Sequence, residues 1–139
     1  MAKDALLLRL DPKRWPSWEW QVLADADTQW WFRTGRLLDE DLEAGIPVIV
    51  LGTRGLGVVA WGETLTGIEF RSDPDWQDVA PDFQSECRRS ENRVCVNIRR
   101  TRISLEDLRN EPSVATLHTR RETATWLDSG QYETLRSMI

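Results

Sequence analysis

Five tryptophans, Trp15, Trp18, Trp20, Trp30 and Trp31, fall in the opening stretch of a 139-residue chain that holds eight in all. An indole presents a flat apolar face and one N–H donor, so it is costly to leave in water and hard to bury unless that donor finds a partner. One small core has little use for so many, and Arg14, Arg33 and Arg36 lie among them. Rings beside guanidinium groups suit a planar, hydrogen-bonding ligand next to phosphate, and an unstacked nucleobase is the commonest ligand of that kind. Some of these rings are therefore expected to line a pocket.

The length predicts one domain over residues 1–139, large enough to bury a core without disulfide or metal staples. Cys87 and Cys95 are too few for a secreted disulfide framework, and no apolar run approaches the ~18 residues of a membrane span. Met1-Ala2-Lys3-Asp4 leads into an apolar stretch shorter than the roughly 7–15 residues of a signal peptide, so a cytoplasmic location is expected. A net charge of -5 argues against a protein that coats nucleic acid by bulk electrostatics. The average hides an asymmetry. Acids gather at Asp39, Glu40, Asp41 and Glu43 and again from Asp73 to Asp82, whereas Arg88, Arg89, Arg93, Arg99, Arg100 and Arg102 form a basic band. Lys3 and Lys13 are the only lysines. Arginine contacts phosphate bidentately and stacks on rings, although a GC-rich genome explains an arginine surplus equally well.

Leu6 to Leu10 reads as a buried strand stopped by Asp11-Pro12. A short helix capped by Ser17 and running to Ala24, a strand over Trp30 to Arg33, and one or two helical turns from Leu37 to Ala44 with a stop at Gly45 follow. Pro47 to Leu51 predicts a strand buried on both faces, Gly52 to Gly57 a turn, and Val58 to Leu65 the returning partner. Phe70 to Asn92 is a long polar excursion, ordered by Trp76 and Phe83. Arg93 to Ile103 alternates as a strand. Helix starts lie at Ser104 and Asp128, the second leading into Tyr132, Leu135 and Met138 at helical spacing. This order predicts an α+β fold, a curled and mostly antiparallel sheet with short flanking helices.

Catalytic chemistry is scarce. His118 is the only histidine, which excludes a metal site built from several of them, and no Gly-rich phosphate loop with its lysine is present. No cofactor or metal is expected, and the chain reads as a binding protein without catalysis.

Leu10-Asp11-Pro12-Lys13-Arg14-Trp15, Trp30 to Arg36, the strand Pro47 to Leu51, Arg54 to Gly62 and the late strand Arg93 to Arg102 together resemble the EVE-like domains of the PUA superfamily. Gly45-Ile46-Pro47 stands where that family usually has Gly-Asp. The resemblance implies a single-domain PUA-like curled β-barrel, related to the YTH and SRA domains, that holds a modified base in an aromatic pocket after extruding it. It also implies a link to modification-dependent restriction, with a separate nuclease as a further partner.

The expected function is thus a reader of DNA carrying a modified base, 5-methylcytosine first. Trp15, Trp18, Trp30, Trp31 and Trp61 are the candidate pocket rings. On a strand Trp30 and Trp31 point to opposite faces, so one is core when the other meets ligand, and Trp20, Trp61 and Trp126 taken singly read as core. Arg33, Arg36, Arg54, Arg88, Arg89, Arg93 and Arg99 are candidate contacts to the nucleic-acid backbone, with surface solubility or ion pairing to the acidic loop as the plain alternative. An RNA reader of the same fold is one rival. A protein-interaction or small-ligand module, its rings buried in a homo-oligomer interface, is the other.

Overall fold

The computed structural model describes residues 3–15, 27–37, 40–74 and 76–139. Seven strands form one sheet: β1 (Ala5–Leu10), β2 (Thr28–Arg33), β3 (Pro47–Gly52), β4 (Gly57–Thr64), β5 (Glu69–Arg71), β6 (Glu91–Ile103) and β7 (Ala124–Leu127). Their order is β2-β6-β4-β3-β1-β7, with β5 also paired to β6. Among the described residues three short α-helices accompany them, α1 (Gln84–Arg88), α2 (Leu105–Arg109) and α3 (Ser129–Met138).

β1 and β3 run parallel, Leu6 opposite Val48 and Leu10 opposite Gly52, while the other pairings are antiparallel. Apart from Arg9 near the end of β1, both strands are apolar, because both of their faces are covered. Leu6, Leu8, Val48 and Val50 join one core, shared with Trp30, Phe32, Val94, Val96 and Ile98. Leu7, Ile49 and Leu51 join the other, closed by Leu108 of α2, Leu117 and Leu135 of α3. The sheet curls until the ends of its two edge strands approach each other. Gly35, just past β2 and at φ 61°, lies so near Thr123, just before β7, that an added Cβ would stand 3.1 Å from that side chain. No pairing joins β2 to β7 among the described residues, so the expected barrel is a curled sheet left open there.

Both expected helix starts are present. Ser104 Oγ accepts from the Asp107 amide at 3.1 Å, and Asp128 with Gln131 forms a reciprocal capping box. The helix expected over Ser17 to Ala24 lies outside the described residues. The helical turns expected from Leu37 to Ala44 require correction: Leu37 and Glu40 to Ala44, the described part, are irregular chain and turns with no helix. Its backbone finds partners on β4 instead. The Gly45 amide donates to the Thr64 carbonyl at 2.8 Å, the Ile46 amide donates to Thr64 Oγ1 at 2.9 Å, and that hydroxyl donates to the Glu43 carbonyl. Thr64 thereby meets the needs that a helix would have met internally.

The excursion before β6 is ordered, and Arg93 anchors it. This side chain is 1% exposed; its Nε donates to the Arg71 carbonyl at 2.9 Å, and Nη2 donates to the carbonyls of Cys87 and Arg89, each at 3.4 Å. Glu91 adds an ion pair at 3.3 Å. Arg93 was expected at a phosphate backbone; it is instead an internal staple, because three carbonyls facing one buried point need a multidentate donor. An Arg93→Met substitution should cost about 3 kcal/mol, since it leaves those acceptors unmatched. Urea denaturation and amide exchange over residues 72–90 measure this, and an unchanged midpoint with unchanged exchange would contradict the staple.

Candidate nucleic-acid interface

At the ends of β1 and β3 the chain leaves the sheet through polar residues. Asp11 caps a tight turn, accepting from the Lys13 amide at 3.0 Å, and this turn carries Arg14 and Trp15 outward. After β3, the turn Thr53 to Leu56 places Arg54 at φ 59°, a left-handed conformation in which its guanidinium reaches Asp11 at 3.3 Å. Across from them stand Trp31 and Arg33 of β2. Together these side chains line an open cleft of about 430 Å³, within the size range of small-molecule sites.

The cleft is strongly cationic. Its lining holds Arg9, Arg14, Arg33, Arg54, Arg93 and Arg121, with Asp11 as the one carboxylate. Two glutamates contribute from the excursion: Glu86 Oε2 lies 3.1 Å from Arg14 and 3.9 Å from Arg33, and Glu91 lies 3.5 Å from Arg33. Aromatic surface completes the wall. The Trp15 ring meets Trp30 edge-on at 5.1 Å between centroids, and the Arg71 guanidinium sits 4.3 Å from the centre of the Trp31 ring. A cation held over an indole face fixes that ring's orientation.

Trp15, Trp31, Arg33 and Arg54 therefore converge as the sequence suggested. Trp30 does not join them at the surface, being 4% exposed in the core; it supports Trp15 from below. Trp18 lies outside the described residues. Trp61 packs against the opposite core, as Tyr132 and Met138 do, with Arg136 4.7 Å and Arg99 5.9 Å from its ring centre. Arg99 also pairs with Asp27 at 3.1 Å. Arg88 stacks at 4.5 Å on Trp76, and Arg89 is exposed; neither lines the cleft. Arg36 lies in a larger adjoining hollow of about 1010 Å³ that shares Arg121 and Thr123 with the cleft. Arg9, Thr53 and Arg121 went unnoticed in the sequence as site residues, and Arg14, noted there among the tryptophans, was not carried into the candidate backbone contacts. Arg9 carried a usable signal, since it is the one charge inside the apolar strand Leu6 to Leu10.

Two comparisons by sequence are empty: no family model matches the chain, and no curated protein matches it. Comparison by structure finds an ASCH protein from Zymomonas mobilis, with a TM-score of 0.57 at 12% identity over 98% of this chain and 96% of that one. A serine-to-alanine variant of that protein gives 0.55, again at 12% identity, over 97% and 96%. The fold is PUA-like. ASCH domains share this PUA-like architecture, and at such low identity the likeness extends to the fold alone. Among the described residues no cluster of His, Cys, Asp and Glu could hold a metal ion, and no helix is long and apolar enough to cross a membrane.

Cys87 also borders the cleft, and burial pushes its thiol pKa up, reinforced by the Asp73 carboxylate and opposed by Arg93, Arg33 and Arg14. The folded state thus keeps this proton at a pH where the unfolded chain releases it, so the contribution to stability declines as pH climbs above the free-thiol range. The stability gap between the protein and a Cys87→Ala variant should narrow as pH passes about 8.5. Urea midpoints across that range measure it; a constant gap would contradict the raised thiol.

Proposed function

We propose that this chain is a non-catalytic reader that binds nucleic acid by taking one unstacked base into the cleft lined by Trp15 and Trp31. The arginines around it hold the adjoining phosphates. The observation that carries the reading is the convergence of two indoles with Arg9, Arg14, Arg33, Arg54 and Arg121, against one lining carboxylate, at a concave site of a PUA-like fold; the sixth lining arginine, Arg93, is spent on backbone carbonyls. In a protein of net charge -5 this concentration is local, so contact is directed to one place rather than spread over the surface. The adjoining hollow, which shares Arg121 with the cleft and adds Arg36, gives flanking nucleotides room beside it.

DNA carrying a modified base, 5-methylcytosine first, is the ligand this reading places ahead. The resemblance of Arg54 to Gly62 and Trp30 to Arg36 to EVE-like domains supports it, and so does the aromatic wall formed by Trp15, Trp31 and Phe32. A methyl group against such a wall contributes only about 1–3 kcal/mol of discrimination, so phosphate contacts supply much of the affinity. RNA is the competing ligand, told apart by its 2′-OH. An oligomer joined through tryptophan is less favoured, because all six described tryptophans are buried or half-buried and form no exposed aromatic face.

A titration at fixed salt with methylated, hydroxymethylated and plain DNA duplexes, and with RNA of the same sequence, tests the proposal. Methylated DNA should bind most tightly, and Trp31→Ala should weaken it by about 1–3 kcal/mol. Equal affinity for all DNA duplexes removes the modified-base claim, tighter RNA binding moves the assignment to RNA, and no binding to any of them removes the reader.

A further inference from the structure

We infer that Arg9, Thr53 and Arg121 form a phosphate subsite within the cleft, at the end of the β1–β3 pair, and that it takes the phosphoryl group of the nucleotide whose base meets the tryptophans. The inference rests on the nucleic-acid reading of the cleft and names what its arginines leave open. Arg14, Arg33 and Arg54 each have a carboxylate nearby. Arg9 has none among the described residues. Its Nη1 donates to the Arg120 carbonyl, which is neutral, and its Nε is buried without a hydrogen-bond partner. A half-buried guanidinium without a counter-charge is unfavourable, and an anion relieves it.

Thr53 shows the same need beside it. Its amide donates to the Leu10 carbonyl at 2.9 Å, which ties it to the end of β1, yet its Oγ1 is buried with no partner. The register sets Arg9 opposite Leu51, so Thr53, two residues on, continues the same face. Arg9 and Thr53 line both the cleft and a hollow of about 80 Å³ behind it. Arg121 stands exposed at the rim, with no ion pair among the described residues. Two guanidinium groups and a hydroxyl from three separate segments supply donors to an oxyanion and no charged acceptor, a set that suits phosphate better than the edge of a base.

Calorimetry at one low salt concentration with cytidine, cytidine 5′-monophosphate and a short oligonucleotide tests the subsite. The nucleotide should bind about tenfold or more tightly than the nucleoside. Arg9→Gln should erase that ratio while leaving nucleoside affinity in place, and should weaken the oligonucleotide as well. Arg121→Gln, at the exposed rim where folding is not at stake, should lower the ratio several-fold, whereas Arg109→Gln on α2 should leave it unchanged. Equal binding of nucleoside and nucleotide by the unaltered protein overturns the subsite, as does a ratio that survives both Arg9→Gln and Arg121→Gln. If the oligonucleotide still binds in either case, the cleft reading stands without the subsite; if oligonucleotide, nucleotide and nucleoside all fail to bind, the cleft reading falls with it.

Discussion

The parallel pairing of β1 with β3 is the constraint on which this molecule is built. Leucines, valines and isoleucines on both faces of that pair join the two cores, so the pair can only sit at the middle of the sheet, with β4 on one side and β7 on the other. Parallel neighbours end at the same edge of a sheet. Asp11-Pro12 after β1 and the Thr53 to Gly57 turn after β3 therefore emerge together, and their polar side chains must share one patch of surface. The curl of the sheet brings β2 across this edge, which adds Trp31 and Arg33. The cleft is thus a consequence of where an apolar pair has to stop.

Arginine dominates the site in two physically different ways. Arg93 is sealed among backbone carbonyls and fixes the excursion that delivers Glu86 and Cys87. Arg14, Arg33 and Arg54 stand partly in solvent with carboxylates close by, where screening makes each pair individually weak. The first kind builds the wall and the second faces the open cleft. Lysine in the Arg93 position has no fork with which to serve several carbonyls at once, so the preference for arginine there follows from geometry as well as charge.

Much of this architecture was legible in the chain. The apolar runs located β1 and β3, the alternation of Val94, Val96 and Ile98 located β6, and Ser104 and Asp128 marked helix starts that the caps bear out. Tertiary partners defeated the rest. Leu42 suggested a helical stripe, yet Thr64, remote in sequence, claims the neighbouring backbone and sends Leu42 into the core as part of a turn. β7 escaped notice because four residues hardly display a period, and its strand character comes from the edge of β1 that it covers. In the candidate site, adjacent Trp30 and Trp31 were bound to diverge, but which ring turned inward depended on β2 pairing with β6. The Arg88 to Arg102 band, a single feature in the sequence, is divided between α1, whose Arg88 stacks on Trp76, and β6, which turns Arg93 inward as a staple and pairs Arg99 with Asp27.

The carboxylates around the cleft would shape how the proposed anionic ligand binds there. Glu86 lies near both Arg14 and Arg33, and Asp11 engages Arg54, so a phosphate that approaches these groups exchanges one anionic partner for another. The net gain from such an exchange is smaller than that from meeting a bare cation, because the guanidinium was already partly compensated. Selectivity benefits from the same arrangement: a polyanion has to displace several carboxylates together, and one that cannot reach them all gains little. Arg9 and Arg121, without carboxylate partners among the described residues, then differ from their neighbours in energy as well as position. On the proposed reading they are where a single phosphate gains most, and the exchange at Arg14, Arg33 and Arg54 governs what else of the ligand is allowed to follow.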